Sequence, residues 1–231
     1  MTAGRQVISK KKDWHTPEKY VSAVKAVFGG HIMLDPCSGP FSIVKADVEY
    51  TLPEHDGLAE IWNFPTVYVN PPYGNDAERG TRIADWFRKC EEAHRVFGSE
   101  VIALVPVATN TKHWKNYVFG KAEAICFLYD TRLRFLVDGQ DEGKGAPMSC
   151  AMIYWGHRFD RFFEVLIQYG AVVNIEYLRK HRIGNANGNG VSRIAKTVTR
   201  TIARQRQATV PPIEGALKAE HVKSAQMALD I

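Results

Sequence analysis

Five short apolar runs limit the architectures open to this chain: HIMLD at 31–35, VYVN at 67–70, EVIALVP at 100–106, AICFLYD at 124–130 and CAMIYWG at 150–156. Each has strand length and is bounded by residues that stop strands. Segments of helical period separate most of them. In TPEKYVSAVKAVFGG, Thr16 suits the N-cap and Pro17 the first helical position. Tyr20, Val21, Val24, Val27 and Phe28 then recur at helical spacing, and Gly29 and Gly30 end the run. TRIADWFRKCEEAHRVFG sets Ile83, Trp86, Phe87, Cys90 and Phe97 on one helical face. HWKNYVFG predicts a short helix and RFDRFFEVLIQYG a further one. Strands alternating with helices predict an α/β fold, a mostly parallel sheet with helices on both faces. Only a polar, Gly-rich loop joins the runs at 124–130 and 150–156, so these two are expected to pair antiparallel. A short strand at 46–50 and a last one in VVNIEYL complete the expected sheet.

The pattern spans residues 13–178 as one domain. Residues 1–12 read as a flexible basic leader. Residues 179–231 read as a linker, GNANGNG at 184–190, within a basic extension. No apolar run approaches the roughly 20 residues that cross a membrane. No signal-peptide pattern opens the sequence, so a cytosolic protein is expected. Cys37, Cys90, Cys126 and Cys150 lie far apart with no CxxC or CxxH spacing, which predicts reduced, mostly buried thiols and no metal site. The formal net charge of +5 permits a polyanionic partner. Much of the excess is local, since Arg179 to Arg206 holds eight Lys/Arg and no Asp or Glu.

Ligands of open α/β sheets bind at the carboxyl ends of strands, and two such ends stand out. In LDPCSGP, Asp35 ends a strand and a turn of small residues lets backbone approach a ligand closely. Neither GxGxxG nor GK[ST] accompanies it, so a dinucleotide or nucleotide-phosphate loop is not indicated. An acidic group facing such a turn suits a ligand with a cationic or hydroxyl-rich part, and S-adenosylmethionine has both. The alternative is an Asp-initiated turn without a ligand. In VNPPYG, Asn70 offers a side-chain carbonyl, Pro71 offers a backbone carbonyl with no competing donor, and Pro72 fixes φ. Together they can accept both hydrogens of a planar exocyclic amine, leaving its lone pair directed at an electrophile. Tyr73 can stack on the ring that carries the amine. The alternative is a Pro-Pro turn with a surface tyrosine.

In order along the chain, DWHTPEKY, LDPCSGP, HDGLAEIW, VYVNPPYG, IADWFRKC, LVPVATNTKHW, AICFLYDTRLRF and APMSCAMIYW resemble the phage-type DNA N6-adenine methyltransferases (Dam-like). The resemblance covers nearly the whole predicted domain. The NPPY tetrapeptide alone is shared by methyltransferases of adenine, guanine or glutamine amides; DWHTP, HDGL and TRLRF narrow it. The resemblance implies a Rossmann-like S-adenosylmethionine-dependent methyltransferase fold. It implies double-stranded DNA as partner, no metal, and a setting in a bacterial host or a phage. Asn70, Pro71, Pro72 and Tyr73 match the catalytic motif. Thr16 and Pro17 match a TP segment that touches the cofactor. Asp35, Pro36, Cys37 and Gly39 match the first cofactor motif, and Asp56 matches the acid expected near the cofactor's adenine amine. Asp47 and Glu49 are both candidates for the ribose-binding acid. Two departures, PVAT for the family's frequent PART and TRLRF for GRLKF, bear on transferred DNA contacts more than on chemistry.

The implied reaction turns the target adenine out of the duplex, at a cost of a few kcal/mol. Stacking on Tyr73 recovers part of this, and methyl transfer to N6 is direct. The same corner leaves an RNA base or a protein glutamine amide as alternative substrates. A nucleic-acid-binding protein without catalysis is the alternative outside enzymes. Lys112, beside His113, Trp114 and Lys115, reads either as a nucleic-acid surface or as part of a helix start with Trp114 packed inward. Arg132 and Arg134 alternate with Leu133 and Phe135 and share one strand face, toward phosphate or toward solvent. The loop at 136–147 is a candidate DNA-contacting element. In VSRIAKTVTRTIAR, Val191, Ile194, Val198 and Ile202 fall on one helical side and Arg193, Lys196, Arg200 and Arg204 on the other. That charged side faces either DNA phosphates or solvent.

Overall fold

Alternation along the central strands decides the layering. In β4 (Thr66–Val69), Val67 and Val69 point to one face and Tyr68 to the other. In β7 (Glu100–Pro106), Val101, Ala103 and Val105 oppose Ile102 and Leu104 in the same way. Both sets are apolar and buried, so neither face can be left to water. Helix α1 (Glu18–Phe28) and helix α3 (Phe159–Leu166) pack on the Tyr68 side; α2 (Ile83–Phe97) and a π-helical turn, Trp114–Val118, pack on the Val67 side. Gly29, at φ 92°, ends α1, and its N–H bonds to the Lys25 carbonyl. The computed structural model describes residues 14–130, 133–137, 140–141 and 148–178. The predicted leader, Arg132 and the extension with Arg193, Lys196, Arg200 and Arg204 lie outside the described residues.

The remaining strands are β1 (Trp14–His15), β2 (Leu34–Asp35), β3 (Val48–Glu49), β5 (Asn75–Asp76), β6 (Thr81–Arg82), β8 (Ala124–Leu128), β9 (Leu136–Val137), β10 (Gln140–Asp141), β11 (Cys150–Trp155) and β12 (Gly170–Asn174). The main sheet has the order β12-β8-β11-β7-β4-β2-β3. Pairings among β3, β2, β4 and β7 are parallel. Strand β11 enters antiparallel between β7 and β8, with Ile153 opposite both Ala103 and Ile125, and β12 is antiparallel to β8. Strands β2, β3, β4, β7 and β8 therefore point one way, and β11 and β12 the other. The expected antiparallel pairing of β8 with β11 is present, and β11 also pairs antiparallel with β7. The loops after β2, β3, β4, β7 and β8 all leave the same edge of the sheet. Strand β2 has β3 on one side and β4 on the other, so a crevice opens at the carboxyl ends of β2 and β4.

Two local expectations change. Thr16 is not the N-cap of α1: Pro17 occupies that position, its carbonyl accepting the Tyr20 and Val21 amides at 3.0 and 3.3 Å. The Thr16 hydroxyl instead bonds the Tyr68 hydroxyl at 2.6 Å, because a tyrosine hydroxyl buried on the sheet needs a partner. The region expected to be a loop at 136–147 contributes two short strands: β9 pairs with both β1 and β10 in a small antiparallel sheet. A further hairpin, β5 with β6, follows the NPPYG turn directly.

Candidate active site

The two motifs meet at the crevice. After β2, the Asp35 carboxylate accepts the Cys37 amide at 3.1 Å, the Asp35 carbonyl accepts the Tyr50 amide at 2.9 Å, and Ser38 donates to the Tyr50 carbonyl at 3.1 Å. The turn is thus tied both to itself and to the end of β3. Asp35 is 4% exposed, and its register partner across the parallel pair is Glu49. Burial pushes the Asp35 carboxyl from its ordinary 3.8 up to about 7; the Cys37 amide works against the rise and the Glu49 carboxylate adds to it. Burial also pushes the Cys37 thiol up. Of the two candidate ribose acids, Glu49 lies at this edge. Asp47 sits before β3, with its carboxylate 3.8 Å from His31.

Backbone packing fixes how closely the neighbouring loop approaches. Gly57 of HDGL lies so close to this turn that a Cβ there would stand 1.8 Å from the Pro36 carbonyl oxygen. Trp62 Nε1 donates to the Gly57 carbonyl at 2.8 Å and locks the loop from behind. Gly57→Ala is therefore expected to destabilise the protein by about 1–3 kcal/mol, read as a lower denaturation midpoint, and to displace the Asp35–Pro36 turn. The Asp56 carboxylate accepts the Leu58 amide at 2.9 Å and Arg79 Nη2 at 2.5 Å, both at Oδ1. Burial works against its ionisation, but these bonds and the Arg79 charge outweigh it and hold the carboxyl below the usual range. Arg79 belongs to the β5–β6 hairpin, where its amide is held by Asp76 Oδ1 at 3.1 Å. One ion pair thus joins the loop after β3 to the loop after β4.

At the second motif, Asn70 Nδ2 donates to the Trp14 carbonyl at 2.8 Å. A backbone carbonyl can only accept, so the amide nitrogen faces Trp14 and Oδ1 is the end left to accept a hydrogen bond. Pro71 is buried and Pro72 exposed. Tyr73 donates its hydroxyl to the Leu104 carbonyl at 3.2 Å, and its half-buried ring stands edge-on to Trp14 and Phe135, with centroids 6.3 and 5.8 Å away. Burial raises the Tyr73 hydroxyl well above its ordinary value, so it remains a donor. Trp14 and Phe135 are themselves stacked, 5.3 Å apart and 16° from parallel. Gly39 lies under His15, where a Cβ would meet the imidazole at 3.3 Å, and the His15 ring stands edge-on to the exposed Phe41 at 6.3 Å.

The crevice thus gathers Asp35, Pro36, Cys37, Gly39, Asp56, Asn70, Pro71, Pro72 and Tyr73. Thr16 and Pro17 adjoin it through β1, although the Thr16 hydroxyl is committed to Tyr68. Lys112 is exposed at the start of the helical turn after β7, and Trp114 two residues on is buried, so the inward packing of that tryptophan holds. Leu133 and Phe135 are buried with Arg134 exposed between them, as their alternation required. Sequence reasoning missed Trp14, His15, Phe135 and Arg79. Among the described residues, no group of three or more His, Cys, Asp or Glu could hold a metal ion, and no helix is long and apolar enough to cross a membrane.

An open α/β sheet with an acid-bearing turn and an acceptor corner at its switch point is the frame of a ligand-binding enzyme. The sequence model of the DNA N-6-adenine-methyltransferase (Dam) family matches residues 5–185, and the chain belongs to that family. Membership implies adenine methylation, with DNA as the substrate. No curated protein and no solved structure matches the chain.

Proposed function

We propose that the protein is an S-adenosylmethionine-dependent DNA adenine-N6 methyltransferase with a Rossmann-like catalytic domain, acting on an adenine turned out of the duplex. The single observation that carries this reading is the Asn70 amide. Its nitrogen is spent on Trp14, so its oxygen is the end that accepts from a substrate amine. The Pro71 carbonyl supplies a second acceptor with no adjacent donor to compete for it. Two fixed acceptors match the two hydrogens of an exocyclic amine.

The residues at β2 fit the cofactor. A buried acid pushed up to about 7, with a second carboxylate as neighbour, is a site short of positive charge. Asp35 and Glu49 would hold the cationic and hydroxyl-bearing parts of S-adenosylmethionine, and Asp56 its adenine amine. When bound, the cofactor supplies an electrophilic methyl group. The chain's own part is to hold the amine by its two hydrogens, draw its lone pair out of conjugation with the ring, and exclude water. That is catalysis by positioning and electrostatics. The Tyr73 ring, fixed at its hydroxyl and by its aromatic neighbours, fits a platform for the extruded base.

Purified protein incubated with S-adenosylmethionine and unmethylated duplex DNA is expected to yield N6-methyladenine, read by mass spectrometry of the nucleosides. Label entering RNA or protein but not DNA would overturn the reading. Tyr73→Phe keeps the ring and is expected to keep most activity. Tyr73→Ala is expected to weaken productive DNA binding by about 1–3 kcal/mol, the contribution of a base–aromatic stack. Equal losses in the two variants would remove the platform role.

A further inference from the structure

We infer that Trp14 is a positioning residue for the reaction, its main-chain carbonyl holding the Asn70 amide in the one orientation that presents oxygen to the substrate amine. This rests on the function proposed above. A primary amide has nearly the same shape in its two flipped states, but the states exchange a donor for an acceptor. Flipped, Asn70 would aim N–H groups at an amine that is itself a donor. The Trp14 carbonyl, 2.8 Å from Nδ2, admits only one of the two states.

The carbonyl is held in turn by features that converge on β1. The two-residue pairing with β9, Trp14 opposite Val137 and His15 opposite Leu136, is too short to be stable alone. The Trp14 indole adds the Phe135 stack and an edge contact with Tyr73. Thr16 adds its bond to Tyr68 of β4, two residues before Asn70. Trp14 therefore links the acceptor corner, through its main-chain carbonyl, to the tyrosine platform, through its indole. The hydrogen bond and ring contacts described for Trp14 reach Asn70, Tyr73 and Phe135 and not the Asp35 turn, so its loss is expected to separate catalysis from cofactor binding.

Trp14→Ala is expected to lower kcat by about tenfold or more while the dissociation constant for S-adenosylhomocysteine stays within about threefold. Trp14→Phe, which restores a stack on Phe135, is expected to recover most of the loss. The decisive arm is a double-mutant cycle with Asn70→Asp. An aspartate has no N–H to give the Trp14 carbonyl, so Trp14→Ala should cost little in that background. Equal factors in both backgrounds would reduce Trp14 to general packing and overturn the inference. A second readout needs neither cofactor nor turnover. The Asn70 side-chain amide signal, assigned by its disappearance in Asn70→Asp, should show slowed hydrogen exchange in the wild type and in Trp14→Phe but not in Trp14→Ala. A rapidly exchanging amide in the wild type would also overturn it, even if Trp14→Ala fails to fold. A wild-type protein that methylates no DNA adenine would instead sink the proposed function.

Discussion

Asn70→Ala protein is expected to fold, to bind S-adenosylmethionine with wild-type affinity, and to lose methyl transfer by about 10²–10³-fold in kcat, the loss that follows removal of one preorganised polar group. The separation follows from where the side chain sits. The Asn70 side chain makes its bond to Trp14, while its bond to the Cys37 thiol of the Asp35 turn comes from the main chain, so truncation of the side chain leaves the β2 side of the crevice intact. Asn70→Asp sharpens the test. It retains an oxygen that accepts, but its second oxygen faces the Trp14 carbonyl, acceptor against acceptor. Activity is expected to lie between that of the wild type and that of Asn70→Ala. Single-turnover methylation with saturating DNA and cofactor measures this directly. An Asn70→Ala enzyme that keeps more than about a tenth of its rate, against the loss expected for such a group, would mean that the Pro71 carbonyl alone suffices and that the corner is not a paired acceptor.

How much of this was legible in the sequence depended on whether a residue's partners lay close along the chain. EVIALVP matches β7 residue for residue, and the helical face of Trp86, Phe87 and Cys90 is buried in α2, because period and length are local signals. The two-residue strands β1, β9 and β10 carry no period at all. The β1–β9 pairing joins positions more than 120 residues apart (Trp14 with Val137), and nothing local announces it. Thr16 failed for the same reason. A threonine before Pro-Glu has the look of a cap, but its hydroxyl was claimed by Tyr68, 52 residues away. Alternation in VYVN already turned Tyr68 away from Val67 and Val69. What it lacked was the identity of the element covering that face. The acceptor corner was legible because proline chemistry is intrinsic to the residue. Which end of the Asn70 amide faces the substrate was not, since a distant carbonyl decides it. Arg79 was missed because a charged residue in a hairpin turn has no meaning until Asp56 is seen opposite it.

Asp35→Asn is expected to make the cofactor-free protein more stable and the enzyme inactive. The stability half follows from linkage. The folded carboxyl titrates near 7 and the unfolded one near 3.8, so between those values the folded state holds more protons and stability falls as pH rises. Above pH 7 the whole cost is present, on the order of 4 kcal/mol by the free-energy equivalent of the shift. An asparagine keeps the oxygen that accepts the Cys37 amide and removes the buried charge. At pH 8 the variant's melting temperature is expected to rise by roughly 5–15 °C, at a few degrees per kcal/mol for a chain of this size, with little change near pH 4. The functional half has the opposite sign. A carboxylate destabilised by burial is one that a cationic ligand can relieve, so wild-type affinity for S-adenosylmethionine should climb with pH to about 7 and then level off. Binding below that pH should release a proton, seen calorimetrically as a dependence on buffer ionisation enthalpy. Asp35→Asn should bind on the order of 10²-fold more weakly, as when one partner of a buried charge pair is removed, and without the pH slope. A variant that is less stable at pH 8 yet binds the cofactor normally would place the Asp35 charge in the fold's own interest and outside the cofactor site. The strand would then end in an acid for structural reasons alone, and the recognition of positive charge at this edge would fall to Glu49.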